Sequence, residues 1–213
     1  MPPDHPDKIK PRFASDTARQ DVHRFVALLR EWQNVHNLVA RTALDNVWDR
    51  HIIDSLQLVD CAPDFREWVD LGSGAGFPGL VVAIAFKGDP ERRFTLVESN
   101  GKKAAFLRAA IRETGVHARV AAERIEKHAE TMRLRADVIS ARALAPLPAL
   151  CGLAAPYMHR NSVLLLLKGR DFAQELREAA KSWNLDVVDS PSATDPGGRV
   201  LAIRNLSPKV ERT

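Results

Sequence analysis

Cysteine and long apolar runs are scarce in this chain of 213 residues. Cys61 and Cys151 stand alone, without the paired spacing of a metal-binding motif, and the apolar run Val163–Leu167 has only the length of a strand. The proline-rich first residues lack the apolar core of a signal peptide. These absences predict a cytoplasmic protein with reduced thiols, no metal site and no membrane segment.

Aromatic residues are also few, at 6% of the chain, and no arginine-rich tract is interleaved with them. The net charge of +4 and the pI of about 9.3 are compatible with a polyanionic partner, but many enzymes are mildly basic. Hydrophobic residues make up 45% and charged residues 27%, as in a soluble globular protein with one α/β domain and an extension. The composition therefore leaves nucleic-acid binding open.

The pattern along the chain predicts three parts. Residues 1–13 are rich in proline and charge and are predicted to form a loose arm. Residues 14–65 are predicted to form a helical cap, because apolar residues recur at helical spacing from Val22 to Val35 and again from Leu44 to Leu58. Residues 66–213 form the third part, in which strands alternate with helices.

Strands that alternate with helices predict a doubly wound, mostly parallel α/β sheet of the Rossmann-like type. Asn100 and Gly115 are predicted to begin and end the helix between the second and third strands. A loop joins the last two strands, which are therefore predicted to be antiparallel. The predicted strands are Glu67–Leu71, Phe94–Glu98, Ala118–Ala121, Asp137–Ser140, Val163–Leu167, Leu185–Val188 and Val200–Arg204.

The run Asp70–Gly79, with the sequence DLGSGAGFPG, is the most informative motif. It follows the strand-like Trp68-Val69 and precedes the apolar, helix-like run Leu80–Ala85. Glycines at a spacing of two let the backbone turn sharply and let a ligand lie against it. In this context the motif predicts a loop that holds a nucleotide-type cofactor.

Charged residues stand where the predicted strands end, and ligands of open α/β sheets bind beyond those ends. Glu98 lies 24 positions after Gly74, close to the spacing of about 20 residues at which an acid takes ribose hydroxyls, although it could also cap the next helix. Arg142 is expected to line a cleft or to meet an anion, because a lone buried cation is costly. Glu126 is either a cofactor contact or a favourable acid in a first helical turn, and Lys168 is either a cleft residue or a lysine that reaches the rim.

Two cofactor classes share this architecture. A nicotinamide dinucleotide needs a second mononucleotide-binding half or a substrate domain, for which the chain has no room. The form D-x-G-x-G-x-G at Asp70–Gly76 resembles instead the first motif of class I S-adenosylmethionine-dependent methyltransferases, whose sheet also ends in an antiparallel hairpin. A nicotinamide-dependent oxidoreductase stays the alternative enzyme, and an RNA-binding assembly factor the non-enzymatic alternative.

The absence of several motifs restricts which kinds of atom can accept the methyl group. Asp137–Ala143 lacks the Asn/Asp-Pro-Pro-aromatic motif of adenine-N6 and cytosine-N4 enzymes, and Cys151 lies in an apolar helix that suits a core residue better than a nucleophile. No acidic cluster suggests a catechol-type reaction with Mg²⁺. Guanine N7 fits what remains, because its lone pair needs alignment with the methyl donor but no general base.

Several segments together resemble the glucose-inhibited division protein B family, the bacterial 16S ribosomal RNA (guanine-N7) methyltransferases. The resemblance covers about Trp32 to Arg204, and its most specific motifs are Gly-Phe-Pro-Gly at residues 76–79 and Arg-His-x-x-Asp-Ser at Arg50–Ser55. The other matching segments are Trp32-Gln33 with Asn37-Leu38, Glu98-Ser99 with Lys102–Arg108, Arg124–Glu126, Ser140–Ala143 and Leu167–Gly169.

The resemblance implies that S-adenosylmethionine is the cofactor and methyl donor, without a metal. The implied cofactor contacts are Gly72, Phe77, Ile125, Glu126 and Arg142, to which the loop and strand-end arguments add Gly74 and Glu98. No catalytic acid or base is assigned, and the candidates for positioning are Arg142, Lys168 and His51. His51 is either a core histidine, bonded to Asp54 or to the backbone, or a residue at the mouth that takes the base.

The implied partner is 16S rRNA, or the small ribosomal subunit or its precursor, with guanine 527 of the decoding-region loop as the acceptor. The absence of an exposed apolar helix face predicts a monomer. Candidate phosphate contacts are Arg41, Arg50, Lys102, Lys103, Arg108, Arg112, Lys168 and Arg170.

Overall fold

The structure, a computed structural model, describes residue 13 and residues 15–40, 44–132 and 135–209. Residues 1–12 of the predicted arm and the candidate phosphate contact Arg41 lie outside these ranges. The division of the chain at residue 65 stays a prediction. Within the described ranges, no helix combines the length and the apolar character that a membrane span requires.

The described residues contain the seven predicted strands, which form one sheet in the order β3-β2-β1-β4-β5-β7-β6. Strands β1 to β5 are parallel, and β7 runs antiparallel between β5 and β6. The predicted Rossmann-like sheet with an antiparallel end is therefore confirmed, although β4 to β7 are longer than predicted. The strands are β1 (Glu67–Leu71), β2 (Arg93–Val97), β3 (Ala118–Ala121), β4 (Ala136–Arg142), β5 (Met158–Lys168), β6 (Trp183–Pro191) and β7 (Arg199–Pro208).

Helices cover both faces of the sheet. The α-helices are α1 (Asp16–Gln33), α2 (Asp54–Cys61), α3 (Gly79–Ala85), α4 (Gly101–Thr114), α5 (Ile125–Thr131), α6 (Leu147–Ala154) and α7 (Phe172–Ser182), and a short 3₁₀ segment follows α6 at Ala155–Tyr157. The helix predicted over residues 44–58 is not a regular α-helix, because Trp48–Ile53 forms a π-helix that leads into α2. Such π-turns often occur at functional sites, and this one contains His51.

Both ends of α4 follow the sequence prediction. The side chain of Asn100 accepts hydrogen bonds from the backbone N–H groups of Lys102 and Lys103, and so caps the first turn. Gly115 ends the helix with a φ of +61°, a left-handed conformation that glycine adopts readily. The carboxyl end of β2, which precedes Asn100, is thereby fixed in position.

Helix α1 packs against α3, α4 and the glycine loop, and its buried residues belong to the same hydrophobic cluster as those helices. Phe25 is fully buried, with its ring 5.5 Å from that of Phe77 in the glycine loop and 6.1 Å from that of Phe106 in α4. The ammonium of Lys87 joins the buried carboxylate of Asp21 to the carbonyl of Thr114. Burial of one such aromatic side chain contributes roughly 1.5–3 kcal/mol, so the cap holds a fixed place beside the glycine loop.

Candidate active site

The glycine loop, Gly72–Pro78, connects β1 to α3 at the carboxyl edge of the sheet. Gly72 has a φ of +66°, in the left-handed region where side chains with a Cβ are strained. A Cβ at this position would also lie 2.6 Å from Cδ1 of Leu144, which follows β4. The loop is therefore packed directly against the segment after β4.

A buried hydrogen-bond network joins β1, β4 and the start of α3. Trp68 Nε1 donates to Ser140 Oγ at 2.8 Å, and that hydroxyl donates to Asp70 Oδ1 at 2.6 Å. The backbone N–H of Gly79 donates to Asp70 Oδ2 at 3.2 Å. Burial raises the pKa of the Asp70 carboxyl to about 6, against the hydrogen bonds, which lower it. Asp70 thus sets where α3 begins, and with it the path of the glycine loop.

We expect the stability that Asp70 contributes to depend on pH. Because its pKa is higher in the folded than in the unfolded chain, its contribution is complete below pH 4 and is lost as the pH rises through about 6. The shift corresponds to about 3 kcal/mol. The difference in unfolding free energy between the wild type and Asp70→Asn should therefore fall by up to about 3 kcal/mol between pH 4 and 7.5 in urea titrations. A difference that does not change with pH would contradict the raised pKa of this buried carboxyl.

Glu98 and Gly74 lie together at the carboxyl edge of the sheet, where the strand-end argument placed both, and their contact with a cofactor stays a prediction. Glu98 follows β2 and is 8% exposed, and its Oε2 accepts the Gly74 N–H at 2.9 Å while Oε1 accepts the Asn100 N–H at 2.8 Å. A Cβ on Gly74 would meet only the Gly72 carbonyl oxygen within 4 Å, at 3.8 Å. The loop is thus open beside Gly74, next to a carboxylate at the end of β2.

Ile125 and Glu126 begin α5, after β3, and a buried tyrosine anchors their turn. Tyr157 Oη donates to the Ile125 carbonyl at 2.8 Å and lies 3.0 Å from His128 Nδ1. Burial raises the pKa of Tyr157 and lowers that of His128, so the phenol keeps its proton and the imidazole is neutral. The half-buried Ile125 and the exposed Glu126 therefore stand on a fixed turn at the same edge as Glu98.

Phe77 and His51 form the contact between the glycine loop and the cap. Phe77 is 7% exposed, and the His51 ring stacks on it with the centroids 4.5 Å apart. Burial, followed by the charges of Arg142 and Arg50, lowers the pKa of His51 to about 4. His51 is thus neutral, and its ring closes the loop from the cap side.

Arg142, at the end of β4, uses its whole guanidinium to hold the cap. Its Nη1 lies 2.6 Å from His51 Nδ1, its Nη2 donates to the Arg50 carbonyl at 2.7 Å, and its Nε lies 3.4 Å from Asp54 Oδ2. Of the two alternatives for His51, the core histidine bonded to Asp54 or to the backbone does not match the structure, because Nδ1 faces the guanidinium of Arg142. The alternative at the mouth that takes the base stays a prediction. Since arginine only donates, the proton of His51 is on Nε2, which is buried without a hydrogen-bond partner among the described residues.

A cavity of about 750 Å³ opens beyond the ends of β4 and β5, beside the glycine loop. Leu144 separates the two, because it touches Gly72 and also lines the cavity. The walls include the apolar side chains Leu144, Pro146, Pro148 and Leu167 and charged residues from α7 and the cap. Because its walls combine apolar side chains with a few charged groups, the cavity has the character of a ligand site.

Lys168 lines this cavity, as predicted for a cleft residue, but its charge is already paired. Its Nζ donates to Glu175 Oε2 at 2.7 Å and to the Ala145 carbonyl at 3.1 Å, and its side chain is 10% exposed. The same Glu175 oxygen accepts the Leu147 N–H at 2.6 Å. Lys168 therefore fixes the wall made by residues 145–147, and the pairing argues against the phosphate contact expected for it.

The loop between β6 and β7 closes the cavity from the cap side, which the sequence did not predict. Thr194 Oγ1 donates to Asp54 Oδ1 at 2.9 Å, and Gln57 Oε1 accepts the Ala193 N–H at 3.0 Å. Asp54 thus joins this loop to Arg142. Its place in the Arg-His-x-x-Asp-Ser motif was the available signal, but the motif did not indicate what it contacts.

The candidate phosphate contacts do not gather at the cavity. Arg50 lines it, whereas Lys102, Lys103, Arg108 and Arg112 lie on α4, on the other side of the glycine loop. None of these five side chains has an ion-pair partner within the described part of the chain. The described residues also hold no cluster of three or more histidine, cysteine or acidic side chains arranged for a metal.

The family model and the similar proteins agree on one family. Residues 18–202 match the model of the GidB family, described as rRNA small subunit methyltransferase G. The chain is 47% identical over 190 residues to ribosomal RNA small subunit methyltransferase G of Cereibacter sphaeroides, covering 88% of this chain and 91% of the relative. It is 50% identical over 186 residues to the protein of the same name from Rhodospirillum centenum, covering 87% and 83%.

Solved structures of other methyltransferases share the fold at low identity. An O-methyltransferase from Bacillus cereus in complex with SAH has a TM-score of 0.56 at 13% identity, covering 90% of this chain and 91% of that one. SAH-bound methyltransferase PaMTH1 from Podospora anserina has a TM-score of 0.58 at 15% identity, covering 89% and 88%. These likenesses support the class I methyltransferase fold.

Proposed function

The chain belongs to the rRNA small subunit methyltransferase G family, and from this premise we propose that it transfers the methyl group of S-adenosylmethionine to N7 of guanine 527 in 16S rRNA. The family description and the names of the relatives support an enzyme that methylates small-subunit rRNA. The choice of N7 and of this nucleotide is the finer part of the proposal.

The residues at the glycine loop fit S-adenosylmethionine. The open backbone at Gly74, the carboxylate of Glu98 at the end of β2 and the anchored turn at Ile125 form a cradle with an acid where ribose hydroxyls need an acceptor. In our proposal Gly72 adjoins the methionine part, Glu98 the ribose, and Ile125 with Glu126 the adenine. Phe77 and Arg142 support the cradle from the cap side.

The single observation that carries the proposal is the cavity beside the loop, whose wall includes Leu144, the side chain packed against Gly72. When bound, S-adenosylmethionine supplies a methyl group on a sulfonium, and guanine N7 is a nucleophile without deprotonation. The chain then has to bring the two partners into line and exclude water. Arg142 and Asp54 hold the cap and the β6–β7 loop against the sheet, and Lys168 with Glu175 holds residues 145–147. These bonds support our proposal that the walls of the cavity align the base.

For the RNA backbone we propose Arg50, Arg170, Lys102, Lys103, Arg108 and Arg112, which can neutralise phosphates because their cations have no ion-pair partner among the residues that the structure describes. The proposed partner is the small ribosomal subunit or its precursor, met in the cytoplasm by a monomer. In this arrangement residues 14–65 act as a cap and residues 66–213 as the methyltransferase domain.

Mapping of 7-methylguanine in 16S rRNA tests the function. We expect rRNA from cells without the protein to lack one 7-methylguanine, at position 527, and we expect the purified protein with S-adenosylmethionine to restore it in subunits from those cells. An unchanged set of methylated guanines would favour an assembly factor. Calorimetric titration with S-adenosylhomocysteine and with NAD covers the other alternative, since binding of the dinucleotide alone would support an oxidoreductase.

A further inference from the structure

Two parts of the fold with different charges line the cavity. Arg142, at the end of β4, lines it together with its partner Asp54, and so do Asp171, just before α7, and Gln174 and Glu178 in α7. In the sheet order β4 lies between β1 and β5, so the strand ends that precede the glycine loop and α7 are about 10 Å apart at the spacing of neighbouring strands. A purine with a methyl donor at one edge and a hydrogen bond at the other requires a span of that order.

Asp171 is the free acid of this cavity. The other carboxylates that line it are bonded to partners: Asp54 to Arg142 and Thr194, Glu175 to Lys168, Glu178 to Lys181, and Asp195 to the backbone of Gly197. Asp171 precedes α7 at the capping position, but its side chain makes no capping hydrogen bond. Among the described residues no donor reaches its carboxylate, which lies exposed in the cavity wall.

A carboxylate in this position can accept hydrogen bonds from only one edge of a guanine, the edge that carries N1–H and the N2 amino group. N7 lies on one side of the ring system, and N1–H and the N2 amino group lie on the other, so a base whose N7 faces the glycine loop turns two donors towards α7. A carboxylate accepts both donors with its two oxygens. Adenine presents an unprotonated N1 there and lacks the N2 amino group, and an RNA phosphate would be repelled.

We propose that Asp171 reads the N1–H and N2 amino donors of the target guanine and so selects guanine and orients its N7 towards the methyl donor. The inference rests on the function proposed above. It has a structural consequence: a guanine read on this edge cannot be paired with cytosine, so the RNA must present it unpaired or turned out of its helix.

Inosine at the target position tests the assignment, because it keeps N7 and N1–H and lacks only the N2 amino group. We would build 16S rRNA by ligation with guanosine, inosine or 7-deazaguanosine at the target, and measure methyl transfer to reconstituted small subunits. Wild-type protein should prefer guanosine over inosine by about 10- to 100-fold in kcat/KM, the effect of one hydrogen bond to a charged acceptor. With Asp171→Ala, kcat/KM for guanosine should fall and the preference should drop to about 1.

Glu178→Ala is the matched control, because it removes a carboxylate of the same helix and cavity that already has a partner in Lys181. It should leave the guanosine-to-inosine ratio unchanged. An unchanged ratio in Asp171→Ala, or a ratio that collapses only in Glu178→Ala, would overturn the role of Asp171. Other results would contradict the proposed function, methyl transfer to guanine N7. These are transfer to 7-deazaguanosine, or no transfer to guanosine by the wild type. Equal binding of S-adenosylhomocysteine by both variants checks that they are folded.

Discussion

Arg142→Ala is expected to lower kcat/KM for methyl transfer by about 100- to 1,000-fold while the protein stays folded. The guanidinium is the only group that bonds at once to His51, to the Arg50 carbonyl and to Asp54 within the described residues. Without it, the cap side of the cavity loses its link to β4. A misplacement of about 1 Å between a nucleophile and a methyl donor can itself reduce a rate by about 100-fold.

The fold should survive because the hydrophobic core does not depend on Arg142, whose side chain is 22% exposed. We expect the melting temperature to fall by several degrees, since Asp54 keeps a mostly buried carboxylate without its cation. Steady-state methylation of subunits, thermal unfolding and calorimetry with S-adenosylhomocysteine would be measured together. Arg142→Lys keeps the charge but cannot make all three contacts, so it should recover only part of the rate. Wild-type activity in Arg142→Ala would show that the cap link is dispensable.

The sheet could be predicted because local patterns determine it. Apolar runs such as Val163–Leu167 become central strands, and Asn100 and Gly115 mark helix ends through bonds to their own neighbours. The antiparallel end of the sheet could be predicted because the segment between the last two strands carries no helix signal, whereas a parallel pair would need a crossover connection there. The lengths of β4 to β7 were underestimated, because the ends of the longer strands carry exposed polar residues, such as Arg160 and Asn161 in β5, that β propensity does not recognise.

The site could be predicted only through the rule that the carboxyl ends of parallel strands lie at one edge of the sheet and that ligands bind there. From that rule Glu98 is expected at the same edge as Gly74, and Lys168 in a cleft, as the structure has them. It could not show what each charge contacts, because those contacts join residues far apart in sequence: Arg142 meets His51 across 91 positions, and Thr194 meets Asp54 across 140. Asp171 and Glu175 could not be recognised as site residues from the sequence pattern, since acids at the start of a helix are common.

Gly79→Ala is expected to destabilise the protein by about 3–5 kcal/mol and to abolish tight binding of S-adenosylhomocysteine. A Cβ at Gly79 would lie 2.4 Å from Asp70 Cβ and 2.7 Å from its Oδ2. Asp70 cannot move away, because it is fully buried in β1 and bonded to Ser140. Helix α3 must therefore shift, which breaks the Gly79–Asp70 hydrogen bond and displaces the glycine loop.

Gly101→Ala is the matched control, since Gly101 also occupies the first residue of a helix. A Cβ there meets nothing within 4 Å, so alanine should be neutral or stabilise by up to about 1 kcal/mol through its helix propensity. At roughly 2–4 °C per kcal/mol for a chain of this size, thermal unfolding should show a loss of about 10 °C for Gly79→Ala and no loss for Gly101→Ala. Equal melting temperatures of the two variants would mean that the gain in helix propensity offsets the clash with Asp70. The close approach of Asp70 would then not explain why residue 79 is glycine.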